Sequence, residues 1–522
     1  MLCVIQKKTT FEQMKNIEYL QKLGFDTDPF QYTNADSEID YIDKYFIYPD
    51  YFENVWGDIS NPVSNIVYAP RGAGKTAQRI MIEKRAKSYD NILTITYTNH
   101  DLSAFKTIDD ITISYHYQYL NRLLLLAFFD TLYQKENLNY LNTFNFSERQ
   151  FIYKLVRIYL FETPASFPKQ AINSLKTIED RVVGLWRDFK DPIAKVIKEI
   201  SKAKGLEVDI SKIEIDKKLE YSHKDNFFNI ITFLHKLDIE TIYFLVDRVD
   251  EQTLTGNDPK ASYALISPLI KDLELLEHKG IGFKFFLWDS LRTYSAVDAR
   301  PDRVFSYDLE WTFNQLELML NERVKTYSNG KITDFTKLFS KKKLFGRVIL
   351  FSENSPRDCI RICNTILTEQ FKSNPNSPVF EESIVNMSID MFCKKKAQEM
   401  ITNSNNFTHL TKTGSVSFTI EELVVKKVGG DAAAVRNIIN PWTTSEVLKK
   451  IGIVQKSDKK RAVNEYAFQD IRLARVACPT LNLQEFIDLK IRRCSQQNCK
   501  NISYRDFNRK TYECPDCNTE LK

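Results

Sequence analysis

The run from Ala69 to Thr76, Ala-Pro-Arg-Gly-Ala-Gly-Lys-Thr, has the residue types and spacing of a phosphate-binding loop. Its glycines let backbone N–H groups turn toward a phosphate, and Lys75 can neutralise charge on the β- and γ-phosphates of ATP. The hydroxyl of Thr76 can ligate Mg²⁺. The residues predicted to hold the nucleotide are Arg71, Gly72, Ala73, Gly74, Lys75 and Thr76.

Ala69 stands where the usual motif, G-x-x-x-x-G-K-[ST], has its first glycine. Alanine fits there if it closes the preceding strand, because the tight turn needs glycine most at the two later positions. The run 63–69 is short and rich in β-branched residues, which predicts a buried strand. A helix is expected from Thr76 to about residue 86, with Arg79, Lys84 and Arg85 on its outer face.

An acidic cluster follows the apolar run 241–246, in the order Asp247-Arg248-Val249-Asp250-Glu251. A strand that ends at Asp247 would place its carboxylate beside Thr76, where it could hold Mg²⁺ directly or through water. Asp250 or Glu251 would orient and deprotonate the attacking water, and the sequence does not decide between them. The simpler alternative, an acidic turn without chemistry, is disfavoured by the phosphate loop upstream.

Strand and helix patterns alternate around these two motifs, with further strands predicted at 92–98, 282–288 and 304–309. This alternation predicts an α/β, three-layer P-loop core. The predicted domains are an N-terminal linker region at 1–60, the core at 61–330 with a helical insertion at about 101–236, a helical lid at 331–403, a winged-helix-like domain at 418–480 and a zinc ribbon at 490–522.

The winged-helix prediction comes from three short helical patterns at 418–423, 432–439 and 443–451, followed by a hairpin. A loop rich in Asn, Ser and Thr at 402–417 would separate this domain from the lid. The basic residues expected to contact DNA phosphates are Lys449, Lys450, Lys459, Lys460 and Arg461. The alternative is that the domain packs against another protein.

Cysteines crowd the end of the chain in two pairs, Cys494 with Cys499 and Cys514 with Cys517. Four thiolates at such spacing can close a tetrahedral Zn²⁺ site, and so short a segment would need a metal to fold. The other five of the nine cysteines are scattered, which indicates a reducing, cytoplasmic setting rather than a disulfide framework.

The composition excludes few functions. With 73 Lys and Arg against 68 Asp and Glu, the net charge of +5 permits nucleic-acid binding without requiring it. The 522 residues, 43% hydrophobic, predict several globular domains. No apolar run is long enough for a membrane span, so no membrane partner is expected.

The order of the motifs along the chain resembles the AAA+ ATPases, in particular the initiator-like branch related to origin-recognition proteins. The resemblance rests on the phosphate loop, the cluster 247–251, the strand 283–290, Arg300-Pro-Asp-Arg303 and Asn354-Ser-Pro-Arg357-Asp. It covers about 24–400 and extends to 476. It implies Mg²⁺-dependent ATP hydrolysis in a homo-oligomer that acts on DNA or on a partner effector protein. Bacterial members of the branch are often defence-associated, so antiviral defence is one expected setting.

The resemblance also implies roles for individual residues. Ser290 or Asp289 would be the polar sensor near the γ-phosphate. Arg303, or failing it Arg300, would be the arginine finger that reaches the nucleotide of a neighbouring subunit. Arg357 matches the second sensor, at the start of a lid helix. A guanidinium near the γ-phosphate would offset transition-state charge in each case.

Arg248 departs from the family pattern, in which Glu directly follows the Mg²⁺-binding Asp. The strand end here is more similar to that of signal-transduction ATPases with numerous domains, which is Asp-Gly-x-Asp-Glu. This similarity supports a second hypothesis, a nucleotide-regulated signalling scaffold that hydrolyses ATP slowly and uses its C-terminal modules to dock proteins.

Overall fold

The computed structural model describes residues 17–98, 100–134, 143–161, 221–454, 462–496, 502–506, 512–514 and 517–521. The chain forms two compact units. The first, which we call the core unit, is Glu38–Glu310, and the second, the C-terminal unit, combines Met1–Ser37 with Trp311–Lys522. The core unit therefore starts and ends earlier than the predicted limits of 61 and 330. Within the described ranges, no helix has both the length and the apolar character needed to cross a bilayer.

A parallel sheet organises the described part of the core unit. Its strands are β1 (Asn65–Ala69), β2 (Ile92–Tyr97), β3 (Thr241–Val246), β4 (Ile281–Trp288) and β5 (Phe305–Asp308). They lie in the order β2-β3-β4-β1-β5, and every neighbouring pair is parallel. Strand β4 therefore separates the strand of the phosphate loop from the strand that ends in the acidic cluster.

Helices follow the strands in the alternation that the sequence predicts. They are α1 (Ile42–Tyr45), α2 (Phe52–Trp56), α3 (Lys75–Ala86), α4 (Ile113–Gln134), α5 (Phe146–Val156), α6 (His223–His235), α7 (Pro259–Lys271), α8 (Leu273–Leu276) and α9 (Arg292–Asp298). Helix α5 ends at Val156 and continues as a π-helical turn, Arg157–Phe161.

The sheet is covered on both faces. Alternate strand residues, for example Ile95, Phe244 and Phe283, share one core with α4, α6 and α7. On the opposite face, the ring of Trp56 in α2 lies 5.3 Å from that of Tyr243, measured between centroids. This arrangement of helix, sheet and helix confirms the predicted α/β P-loop fold with three layers.

The predicted helical insertion at about 101–236 is partly described. Its helices α4 and α6 pack directly on the sheet and belong to the same core as the strands. They therefore form one layer of the core unit. Residues 162–220 of this stretch lie outside the described residues.

The C-terminal unit is mainly helical as far as residue 412. Its helices are α10 (Phe313–Tyr327), α11 (Lys343–Phe351), α12 (Pro356–Ser373), α13 (Glu382–Met400), α14 (Ser404–Lys412), α15 (Ile420–Val425), α16 (Ala432–Thr444), α17 (Ile471–Ala477) and α18 (Leu483–Lys490). Buried arginines join α17 to earlier helices. Arg475 binds both carboxylate oxygens of Asp390 in α13 at 2.8 and 3.0 Å, and Arg472 pairs with Asp358 in α12.

Short antiparallel strands complete this unit. They are β6 (Ser417–Thr419), β7 (Leu448–Val454), β8 (Val463–Phe468), β9 (Ile491–Arg493), β10 (Ile502–Tyr504), β11 (Tyr512–Glu513) and β12 (Glu520–Leu521). Strands β6, β8 and β7 form one sheet in that order, and β9 with β10 and β11 with β12 form two hairpin-like pairs.

The prediction of a helix at 443–451 is wrong. Helix α16 extends to Thr444, and the chain then forms β7, which pairs with β8. The spacing of Leu448 and Ile451 fits a helix, but Ile453 and Val454 are β-branched and Gly452 disfavours a helix interior. Backbone pairing with β8, which the local pattern does not reveal, decides the outcome.

The neighbouring predictions are shifted. The first predicted helix, 418–423, opens as strand β6 and becomes helical only at Ile420. The predicted loop at 402–417 contains α14, which Asn403 caps by accepting hydrogen bonds from two backbone N–H groups. The tip of the hairpin, with Lys459, Lys460 and Arg461, lies outside the described residues.

Candidate functional site

The phosphate loop joins β1 to α3 through two glycines with left-handed backbone. Gly72 has a φ of 83° and Gly74 a φ of 102°, values that residues with a Cβ rarely adopt. Strand β1 ends at the buried Ala69, and α3 begins at Lys75. The Nζ atom of Lys75 donates hydrogen bonds to the carbonyls of Ala69, at 2.9 Å, and Pro70, at 3.0 Å. These contacts tie the loop to the first turn of α3, and the positive end of this helix can face an anion.

Thr76 and Asp247 contact each other, although β4 lies between the strands that precede them. The Thr76 hydroxyl donates to Oδ2 of Asp247 at 2.9 Å, and the backbone N–H of Arg248 donates to Oδ1 at 2.9 Å. Asp247 is 1% exposed. A hydroxyl and a carboxylate this close can ligate one Mg²⁺, directly or through its waters.

Arg79 contributes a buried positive charge beside Asp247. Its Nε donates to Oδ2 of Asp247 at 3.2 Å, and Nη1 pairs with Glu83, which also accepts a hydrogen bond from Thr96. The prediction of Arg79 on the outer face is wrong, because helical spacing puts it on the same face as Thr76 and Glu83, toward the sheet. This i, i+3 and i, i+4 relationship was visible in the sequence.

Arg71 links three strand ends. Its Nε and Nη2 lie 2.9 and 2.8 Å from Oδ2 of Asp250, and its guanidinium carbon lies 4.0 Å from the ring centroid of Trp288, at the end of β4. The Asp250 side chain is 11% exposed, whereas that of Glu251 is 58% exposed and lies 3.9 Å from Arg248. The structure therefore draws Asp250, and not Glu251, toward the phosphate loop.

Asp289 and Ser290 lie just beyond the end of β4, in a short 3-10 helix, Asp289–Leu291. Trp288, the last residue of β4, is paired in register with Ala69 of β1. Both candidate sensor residues therefore follow a strand end that lies directly beside the start of the phosphate loop. Both are half-buried.

Gln252 ties the acidic turn to the end of β2. Its amide donates to the carbonyl of Thr98 at 3.0 Å and accepts from the backbone N–H of His100 at 3.3 Å. Burial lowers the pKa of His100 and lowers that of the nearby His116 to about 4. Both imidazoles are therefore neutral at physiological pH. No sequence motif indicated either histidine or Gln252.

Arg300 and Arg303, the arginine-finger candidates, each pair with an acidic side chain other than Asp247 and Asp250. Arg300 pairs with Asp302 at 3.0 Å, and Arg303 pairs with Glu277, all on the surface ahead of β5. Arg357 belongs to the C-terminal unit, where it is exposed in the first turn of α12. The finger and second-sensor roles stay predictions.

Three of the four predicted metal ligands are close together. The sulfur atoms of Cys494, Cys514 and Cys517 all lie within 4.8 Å of one another, and those of Cys494 and Cys517 are 3.4 Å apart. Tetrahedral Zn²⁺ with Zn–S bonds of about 2.3 Å requires sulfur atoms roughly 3.8 Å apart. The cluster fits such an ion, and the fourth predicted ligand, Cys499, lies outside the described residues.

We expect purified protein to contain about one Zn²⁺ per chain, the stoichiometry of one four-thiolate site. Replacing Cys514 and Cys517 together by serine should abolish it, because two hydroxyls cannot replace two thiolates. Metal analysis by atomic emission, with the melting curve followed in parallel, measures both quantities. Full zinc content in the double variant would show that the ligands lie elsewhere.

Comparison with known proteins gives weak structural similarity. No protein-family model and no curated protein matches the sequence. Among solved structures, the Aeropyrum pernix ORC1 protein in complex with DNA has a TM-score of 0.35 and 10% identity, covering 86% of this chain and 94% of that one. Cdc6p from Pyrobaculum aerophilum has a TM-score of 0.31 and 9% identity, covering 87% of this chain and 99% of that one. Drosophila ORC bound to DNA has a TM-score of 0.27 and 9% identity, covering 85% of this chain and 98% of that one.

Proposed function

We propose that this chain is an Mg²⁺-dependent ATPase that works as a molecular switch. The observation that carries the proposal is the contact between Thr76 and Asp247, 2.9 Å long, beside a loop with two left-handed glycines. The two tasks of such a site, cradling phosphates and holding Mg²⁺, then fall to neighbouring groups that follow β1 and β3.

Each residue has a defined role in this proposal. The backbone N–H groups of 71–76 and the Lys75 ammonium bind the β- and γ-phosphates. Thr76 and Asp247 hold Mg²⁺, while Arg79 fixes the carboxylate of Asp247. Asp250 orients the attacking water, a role that its position beside the loop favours over Glu251. Ser290 or Asp289 senses the γ-phosphate from the end of β4.

We further propose that the switch acts in an AAA+-like homo-oligomer of the initiator-like type. In this assembly Arg303 or Arg300 would reach the nucleotide of the next subunit, and Arg357 would act as the second sensor. Support comes from the exposure of all three arginines. A cytoplasmic setting and a role in antiviral defence are the finer parts of this proposal, and they rest on the family resemblance alone.

The oligomer is tested by mixing two inactive variants. Arg303→Ala should bind ATP but lose about 10³-fold in turnover, the effect typical of an arginine finger. The Lys75→Ala variant should not bind ATP, but it retains Arg303 and can donate this arginine finger to a neighbouring subunit. Mixing them should restore part of the activity, because an intact site can form from the loop of one chain and the finger of the other. The same test applies to Arg300→Ala, and full activity of both arginine variants alone would refute a shared site.

We propose DNA as the partner of the C-terminal unit. The order of elements from residue 404 to 468 is helix, strand, helix, helix, strand, strand, which suits a winged helix. These elements are α14, β6, α15, α16, β7 and β8. In this arrangement α16 would be the second helix of the helix-turn-helix pair. Lys449 and Lys450 on β7 and Arg436 on α16 are exposed. Across the described residues, none of these three has an acidic side chain within ion-pair distance.

Duplex DNA should therefore stimulate ATP turnover. Lys449→Ala combined with Lys450→Ala should lower the slope of log affinity against log salt concentration by roughly 2, since each phosphate contact contributes about 0.9. The matched control is Lys394→Ala with Lys395→Ala, which removes the same charge from exposed positions on α13. Equal slopes in both double variants would contradict DNA binding through β7.

The alternative is the nucleotide-regulated signalling scaffold, and one observation favours it. Arg248, which follows Asp247, has a left-handed φ of 60°, a backbone conformation that suits the glycine of the Asp-Gly-x-Asp-Glu pattern at that position. A scaffold should turn over ATP slowly, with no response to DNA, and should work as a dilute monomer. The same turnover assay, run with and without duplex DNA, separates the two hypotheses.

A further inference from the structure

Arg71 combines a place in the phosphate loop with an ion pair to Asp250. It belongs to the phosphate loop, four residues before Lys75, and its guanidinium contacts Asp250 across the end of β4. Both of its short contacts, from Nε and Nη2, go to one oxygen, Oδ2. The pair is therefore not the two-oxygen fork that holds an arginine most firmly on a carboxylate.

The surroundings allow this guanidinium to move. The Arg71 side chain is 38% exposed, so part of it already contacts solvent. Its other neighbour is the flat ring of Trp288, 4.0 Å from the guanidinium carbon, on a strand that runs between β1 and β3. A guanidinium stacked on an aromatic face can shift along that face without losing the stacking contact.

We propose that Arg71 is a γ-phosphate-responsive switch that holds Asp250 until ATP binds and then transfers to the γ-phosphate. The inference rests on the proposed function, since it assigns regulation to the same nucleotide site. A γ-phosphate carries more negative charge than a carboxylate and accepts bidentate hydrogen bonds from arginine, so it competes well for Arg71. ADP lacks this group and leaves the ion pair intact.

The transfer links nucleotide identity to chemistry. While Arg71 holds Oδ2, the lone pairs of that oxygen are engaged and the Asp250 carboxylate is held toward the loop. Once Arg71 moves to the γ-phosphate, Asp250 is released to accept a hydrogen bond from the attacking water. Arg71 would thus contact the transferred phosphoryl group and also control the position of the carboxylate that orients the water.

Two substitutions should act in opposite directions on nucleotide preference. Arg71→Met removes a charged phosphate contact, so affinity for a non-hydrolysable ATP analogue should fall roughly tenfold or more while ADP affinity is unchanged. Asp250→Asn removes the competing partner, so affinity for the analogue should rise about two- to fivefold, the range expected for breaking a partly exposed ion pair. A merely structural role for Arg71 would weaken both nucleotides alike.

The full-length protein carries its own reporter of the transfer. Movement of Arg71 over Trp288 should change the tryptophan emission when the Mg²⁺-bound ATP analogue is added, and much less with ADP. Trp288→Phe identifies the signal among the five tryptophans. The matched control is Arg85→Met, which also removes an arginine that pairs with an acid, Glu53, and lies 4.7 Å over a tryptophan ring, that of Trp56, at the far end of α3.

Calorimetric titration of ADP and of the ATP analogue, together with the change in tryptophan emission, tests whether Arg71 transfers to the γ-phosphate. The proposal predicts loss of the emission difference and of the analogue preference in Arg71→Met, with both retained in Arg85→Met. Wild-type preference and emission in a folded Arg71→Met protein, or equal emission changes with ADP and the analogue in the wild type, would overturn the switch. If the wild type bound neither nucleotide, the proposed ATPase itself would fail.

Discussion

Asp250→Asn should bind ATP and hydrolyse it at least a hundredfold more slowly than the wild type. The asparagine side chain keeps the size of the carboxylate but cannot accept a proton, and positioned general bases contribute typically 10²–10⁴ to a rate. Steady-state turnover at saturating ATP measures this loss directly. Binding should persist, because the groups that hold phosphate and Mg²⁺ are Lys75, Thr76 and Asp247.

Glu251→Gln is the matched comparison, since it makes the same chemical change one residue away. The Glu251 side chain is 58% exposed, and its ion-pair neighbour Arg248 lies 3.9 Å from it. We therefore expect turnover within about threefold of the wild type, as for a weak surface ion pair. A large loss in Glu251→Gln with normal turnover in Asp250→Asn would assign the base to Glu251. Normal turnover in the double variant would remove both from the mechanism.

The backbone of the candidate site follows closely from the sequence. The run that ends in Ala69 is apolar and β-branched, and glycine at 72 and 74 meets the requirement for left-handed backbone. A buried strand before Asp247 predicts where that carboxylate emerges. These features are local, so residue types and spacing suffice to place them.

The side-chain contacts of the site follow less directly, because they depend on the order of strands. Arg71 reaches Asp250 and Trp288 only because β4 lies between β1 and β3, and no local pattern states that order. Arg79 is a different case. Its helical register with Thr76 and Glu83 was present in the sequence, but a charged residue is rarely buried, and that general preference gave the wrong face.

The C-terminal unit shows the same limit. The helix predicted at 443–451 and the strand β7 compete for one segment with mixed propensity, and pairing with β8 determines the strand. Likewise, the cysteine spacing predicts a metal site, but only the structure brings Cys494 next to Cys517, at 3.4 Å. Long-range pairing is the part of the fold that sequence patterns leave undetermined.

Lys75→Ala should have the largest effect on nucleotide binding. The Nζ atom of Lys75 lies 2.9 and 3.0 Å from the loop carbonyls of Ala69 and Pro70, so the ammonium is held within the loop itself. Removing it takes a full positive charge from the β- and γ-phosphates. Each charge-assisted hydrogen bond contributes about 1.5–3 kcal/mol, so affinity for Mg²⁺-ATP should fall roughly a hundredfold or more.

Isothermal titration of Mg²⁺-ATP into the wild type, Lys75→Ala and Lys84→Ala tests the nucleotide site most directly. Lys84 is the control, because it lies on the same helix α3 but pairs with Asp43, away from the loop. We predict one ATP bound per wild-type chain, the same affinity in Lys84→Ala and little or no measurable binding in a folded Lys75→Ala protein. Wild-type affinity in folded Lys75→Ala would contradict the claim that this loop binds the nucleotide.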